Sequence, residues 1–209
     1  MVMIHLVYDL TELYPVLQWE YPPFFCLIKE GGGIVFFLIS GICATLGHRH
    51  LRRGLVVFGC GLLISAAMRL TGSMPIRFGV LHCLGLSMLL WHLFRKLPAK
   101  ALIMVGIGMV ITGLLLGTVT VSDPWLYPLG LTAPGFESAD YFPLLPFLGY
   151  FLLGAALGRW TYANRQSRFR EKTFDQPILH FFCLCGRYSL FIYLIHQPIL
   201  IFCIEKALG

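Results

Sequence analysis

The run FCLIKEGGGIVFFLISGICATLG at residues 25–47, the joint HRHLRR at 48–53 and the run GLVVFGCGLLISAAMRL at 54–70 together decide the fold class. Two apolar stretches, each near the roughly 20 residues that a helix needs to cross a hydrocarbon core, flank a short basic joint. Further apolar runs follow at 78–94, 100–120, 142–160 and 178–204, with a fragment at 1–8. The expected fold is all-α, a polytopic helical membrane bundle of about six full spans plus an N-terminal half-span, because helices satisfy their backbone polar groups internally in lipid. The last run holds Gly186-Arg187. It is either one tilted helix or a short approach segment followed by a span from about residue 187.

Composition agrees. Of 209 residues, 57% are hydrophobic and only 12% are charged, with a mean hydropathy of +0.77. A soluble domain carries roughly twice that charged fraction. No internal repeat and no low-complexity segment interrupts the chain, which reads as a single integral-membrane domain over 1–209. The opening MVMIHL lacks the basic start and small-residue cleavage site of a signal peptide. Residues 1–8 supply only half of a first span, so either the start lies upstream or the chain begins with a half-helix.

The net charge of +6 is not a nucleic-acid signal, because the cations sit in alternate joints. Arg49, Arg52 and Arg53, then Arg95, Lys96 and Lys100, then Arg159, Arg165, Arg168, Arg170 and Lys172 make eleven of the sixteen Lys and Arg. Lys29, Arg69, Arg77 and Lys206 lie in the opposite joints, and Arg187 lies inside the last run. The positive-inside rule makes the richer set cytoplasmic. The loop TVTVSDPWLYPLGLTAPGFESADY at 118–141 and the polar stretch after His5 then face outward. The seven cysteines include no CxxC pair, so no metal or redox motif is expected.

Polar residues at span ends are costly in lipid and therefore mark candidate sites. His5 and Asp9 are four apart, on one helical face, where a carboxylate can hold one imidazole nitrogen and orient the other. The same spacing also fits an ordinary helix end. His82 lies just inside the outer end of its span, five residues after Arg77, as either a packed histidine or a cavity wall. Asp140 fits an N-cap for the helix that follows it, or a substrate contact. In GRYSLFIYLIHQPIL, Arg187, Ser189, His196 and Gln197 give one terminal helix an unusually polar character, explained by a hydrogen-bonded packing seam or by a site. Ser40-Gly41 and the Gly154/Gly158 pair read as close-packing devices. Arg49, Arg52 and Arg53 form a solvated basic face or a phosphate clamp.

Several segments, in order, resemble the bacterial relatives of heparan-α-glucosaminide N-acetyltransferase: MVMIHLVYDL, FFLISGICATL, IRFGVLHCLGLSMLL, YPLGLT followed by DYFPLLPFLGYFLLGAALG, and GRYSLFIYLIHQPI. No single segment is a sharp motif; the ordered set is. The family's basic tail and Asp-x-x-Arg-Gly stretch before the first apolar run have no counterpart here. The resemblance implies passage of an acetyl group from cytoplasmic acetyl-CoA to an amine or hydroxyl of an amino sugar or glycan on the outer face. It implies a multi-pass protein of the cell membrane, the inner membrane if the source is bacterial. His5 is then the base or transient acetyl acceptor, with Asp9 orienting it. His82, Asp140, His196 and Arg77 line the acceptor side, and Arg49, Arg52, Arg53 and Arg187 hold the CoA phosphates. The mammalian enzyme has Asn at the place of His5 and its catalytic His farther along the outer loop; here no His falls between residues 6 and 47. The expected partners are the lipid bilayer and a sugar or glycan acceptor, no nucleic acid, with a homo-oligomer left open. A small-solute transporter or flippase, or a non-catalytic scaffold, are the alternatives; transport would predict repeat symmetry.

Overall fold

A computed structural model describes residues 2–14, 16, 22–72, 74–121, 123–162 and 177–208. Among them every regular element is a helix: α1 (Val2–Tyr8), a π-helix (Asp9–Leu13), α2 (Pro23–Leu46), α3 (His50–Leu70), α4 (Val80–Phe94), α5 (Ala99–Leu116), a 3-10 helix (Pro124–Leu129), α6 (Leu144–Thr161), α7 (Pro177–Arg187) and α8 (Ser189–Leu208). These fall into two compact units, one comprising Met1–Gly32 with Glu171–Gly209, the other Gly33–Arg170.

Six full spans were expected. Among the described residues four helices are long and apolar enough to cross a membrane: α3, α5, α6 and α8. Helix α4 is apolar but shorter, and α2 is apolar over Gly31–Leu46. At 1.5 Å per residue the 15 residues of α4 cover about 22 Å, less than the roughly 30 Å of a hydrocarbon core. The run from residue 78 is trimmed because Phe78 and Gly79 stay outside the helix, which side chains cap at Val80. The last run breaks at Tyr188, so the approach segment followed by a span is what forms. Arg165, Arg168, Arg170 and Lys172 lie outside the described residues.

In the second unit, glycines set how closely the helices approach. A Cβ on Gly41 of α2 would collide with the Phe151 carbonyl of α6, and one on Gly154 of α6 with the Leu38 carbonyl of α2. A Cβ on Gly158 would lie 3.0 Å from Ile42 Cα, so the predicted small-residue pair forms one face of the α2–α6 seam. The hydroxyl of Ser40 donates back to the Phe36 carbonyl at 2.8 Å and leaves that seam to glycine. Gly85 packs on the Phe58 backbone across α3–α4, and Gly149 on Gly106 across α5–α6. In lipid, where no hydrophobic force draws helices together, such contact supplies the van der Waals attraction that does. Phe37, Leu102, Phe151 and Leu152 are fully buried between these seams, while Leu63, Met104 and Leu114 lie exposed on the outer helix faces.

Both ends of this unit are tied. The Arg159 guanidinium donates to the carbonyls of Leu97 and Arg95 and lies 5.6 Å from the centre of the Trp91 ring. At the other end Ala139 N–H donates to the Pro75 carbonyl, and Phe142 N–H to that of Phe78.

Gly154→Ala is expected to destabilise the protein by about 1–3 kcal/mol through overpacking. Gly108→Ala, whose Cβ would meet nothing within 4 Å, should instead stabilise by up to about 1 kcal/mol through helix propensity. Thermal unfolding of the two variants in detergent reads the contrast.

Candidate functional site

In the first unit, α1 and its π-helical extension pack against α8 through two rungs of polar side chains. His5 of α1 and His196 of α8 form the first, with ring centres 4.9 Å apart and planes tilted by 60°. Asp9 and Gln197 form the second: Gln197 Nε2 donates to Asp9 Oδ1 at 2.8 Å and to Oδ2 at 3.0 Å. Asp9 is 0% exposed and His196 8% exposed. A third contact, from the Tyr14 hydroxyl to Glu205 Oε1 at 2.9 Å, joins the same two segments farther out.

The local backbone explains part of this. After Tyr8 the helix widens to a π-helix over Asp9–Leu13, where Tyr14 N–H reaches the Asp9 carbonyl at 2.7 Å. π-Helical turns recur at functional sites. The widening begins at Asp9 itself, and His5 lies one turn before it on the regular part of α1. The Asp9 carboxylate accepts from Gln197 through both oxygens.

His196 is held in one tautomer. Its Nδ1 lies 2.6 Å from the Tyr193 carbonyl oxygen. A carbonyl can only accept, so Nδ1 carries the hydrogen and Nε2 of the neutral ring is a bare acceptor. Among the described residues the buried side-chain atoms without a hydrogen-bond partner are Ser65 Oγ, His196 Nε2 and Gln197 Oε1. Two of these three sit on adjacent residues of α8. Orphaned buried acceptors are costly in an apolar medium, so their presence here calls for a ligand or a catalytic use.

His82 and Asp140 have found partners instead. His82 Nδ1 accepts from Gly79 N–H at 3.3 Å, and the ring sits between Phe58 and Phe78 at 5.6 and 5.7 Å. Asp140 Oδ2 accepts from Val80 N–H at 2.8 Å. Asp140 therefore caps α4, 60 residues earlier, and not the helix that follows it, which starts after Pro143. Burial raises the Asp140 carboxyl above its ordinary value, partly opposed by the Val80 N–H. Tyr141 beside it donates to the Tyr127 carbonyl at 2.8 Å, and burial together with Tyr127 pushes its phenol up to about 12. Arg77 is exposed at this end, its backbone N–H bonded to Ser138 Oγ.

At the opposite end of the second unit the basic joints 48–53 and 95–100 meet. His48, Arg49, His50, Arg52, His92 and Arg95 line an open pocket of about 290 Å³. Arg49 and Arg52 were expected there as phosphate ligands. Arg95 and His92 were not, because sequence gives no sign that the two joints share a pocket; His48 and His50 belong to the same joint as those two arginines. Arg53 is exposed but does not line it, and Arg187 ends α7 in the first unit.

A family model described as heparan-alpha-glucosaminide N-acetyltransferase, catalytic, matches residues 1–198. The chain belongs to that family. The match spans both α1, with His5 and Asp9, and α8 through Gln197 and Pro198. Family membership and the long apolar helices together point to a membrane protein with an acetyltransferase role. Among curated proteins and among solved structures none matches the chain. Gln197, legible in the sequence only as one of four polar residues on the terminal helix, is the donor to Asp9. The available signal was the need of a buried carboxylate for a donor, with a glutamine waiting beside His196.

Asp140→Ala should cost about 1–3 kcal/mol by orphaning the Val80 N–H, whereas Asp140→Asn keeps an acceptor. Since the fold raises the carboxyl, its stabilising contribution is full below the ordinary carboxylate range and is lost as pH rises through the raised value. Asp140→Asn should therefore gain on the parent as pH rises, which unfolding temperatures across pH will show.

Proposed function

We propose that this protein transfers an acetyl group from acetyl-CoA at its basic, cytoplasmic end to the amine of an amino sugar or glycan on the outer face of the cell membrane. The single observation that carries the reading is the bare, buried Nε2 of His196, set by its Nδ1 bond to Tyr193 and packed on His5, within a chain of this acetyltransferase family.

The chemistry follows from that geometry. His196 takes through Nε2 the proton that the amine loses as its nitrogen attacks the thioester carbonyl carbon. The new C–N bond forms and the C–S bond breaks. His196 hands that same proton on, through the half-buried His5 ring packed against it, to the leaving thiolate, so that the amide and the free thiol form and both rings end as they began. His5 and His196 thus act as the catalytic pair, with Asp9 behind them. On the donor side the guanidinium groups of Arg49, Arg52 and Arg95 suit phosphate oxygens, and each of the three imidazoles around them carries a ring N–H donor. Arg53, exposed in the same joint as Arg49 and Arg52, adds positive charge beside them. At the outer end Arg77 is the exposed group an acceptor would meet, while His82 and Asp140 support the start of α4.

Membranes carrying the full chain, incubated with radiolabelled acetyl-CoA and glucosamine, should label the sugar. His5→Ala and His196→Ala should each lower the rate about 10²–10⁴-fold. Transfer that survives both substitutions would refute the pair, and label crossing sealed vesicles unattached to sugar would favour transport. Arg52→Ala should raise KM for acetyl-CoA about tenfold with kcat unchanged, an effect that added salt shrinks.

A further inference from the structure

The second rung, Asp9–Gln197, contains an asymmetry that the acetyl-transfer scheme does not use. An ionised carboxylate only accepts hydrogen bonds, and both oxygens of Asp9 accept from the same Gln197 nitrogen. That fixes which way round the amide sits: its NH₂ faces Asp9 and its Oε1 faces away, buried and without a partner. A free glutamine amide turns over to suit its surroundings, and this one is held by a group that offers no donor. The neighbouring residue on α8, His196, also presents a bare acceptor, Nε2.

We infer that Gln197 is the residue that recognises the acceptor amine, and that Asp9 is a positioning residue acting through it. The inference rests on the acetyl-transfer reading and extends it. Two adjacent acceptors with no donor of their own match a group with at least two N–H bonds. An amine or ammonium supplies one hydrogen to Gln197 Oε1 and another to His196 Nε2, while a hydroxyl has one hydrogen and leaves one acceptor orphaned. The hydrogen on His196 is the one lost during attack; the hydrogen on Gln197 Oε1 stays, holding the nitrogen as its lone pair turns to the carbonyl carbon. The rung therefore selects nitrogen over oxygen as the acetyl acceptor.

The test uses the full chain in detergent, with acetyl-CoA as donor and glucosamine or glucose as acceptor. Gln197→Met removes the carbonyl at similar length. It should raise KM for glucosamine by about tenfold or more, the worth of one such hydrogen bond. Asp9→Asn lets the amide turn over and should act the same way. The exchange Asp9→Asn with Gln197→Glu restores a one-way bond, with the amide now on residue 9 and a bare oxygen at 197, and should recover KM to within about threefold. Unchanged KM in Gln197→Met overturns the amine contact, and an exchange no better than Asp9→Asn alone overturns the role of Asp9. A second measurement is independent of turnover. The chain has four glutamines, so side-chain ¹⁵N labelling gives few signals, and the one lost in Gln197→Met is assigned to Gln197. Glucosamine should shift that signal and glucose should not; no shift at saturating glucosamine overturns the inference. If the parent transfers no acetyl group to any sugar, the acetyl-transfer reading fails, and the amide signal still decides the inference.

Discussion

Asp9 is wholly removed from solvent, and a carboxylate in apolar surroundings is tolerated only when something donates to it. The Gln197 amide does so with both of its contacts under 3.1 Å. That requirement joins residues separated by 188 positions and brings the two ends of the chain together. It also explains why His5 meets His196. Once the second rung is fixed, residues one turn earlier on α1 and one residue earlier on α8 come face to face. Removing one partner of such a rung exposes the other to the full desolvation penalty, so the two residues are energetically one unit.

The polar groups divide by whether the fold satisfies them. His82 and Asp140 each accept from a backbone N–H at the start of α4, where helix geometry leaves four donors unpaired. They do the work that an N-cap side chain ordinarily does, with the carboxylate supplied from a distant loop. His196 Nε2 and Gln197 Oε1 are left open. A satisfied polar cluster supports structure, whereas open acceptors are available to a ligand's donors. The same criterion sorts the arginines. Arg159 is spent on the carbonyls of Leu97 and Arg95, while Arg49, Arg52 and Arg95 keep their guanidinium groups on an open pocket.

The glycine seams set the frame for this chemistry. Gly41 and Gly154 bring the α2 and α6 backbones into contact, and Gly85 and Gly149 do the same for their own helix pairs. Because attraction between helices in lipid comes from close contact, a single methyl group at such a crossing displaces a whole helix. Gly108, with open space around it, carries no such constraint.

The sequence by itself determined the helical class, the apolar stretches, the alternation of basic joints and the family, because hydropathy and local charge are properties of consecutive residues. It also singled out His5, Asp9, His82, Asp140 and His196 as polar groups at costly positions. Helix ends were less legible: α4 starts at Val80 and the last run breaks at Tyr188, since caps and turns close these helices and apolarity continues past them. Only the tertiary structure decided the partners. The spacing of His5 and Asp9 placed them one turn apart, but the donor that satisfies the carboxylate is a glutamine at the far end of the chain. Asp140 reads locally as the cap of the next helix and caps an earlier one. Hydrogen-bond choice depends on what lies within about 3 Å in space, and no pattern along the chain encodes which distant donor that is.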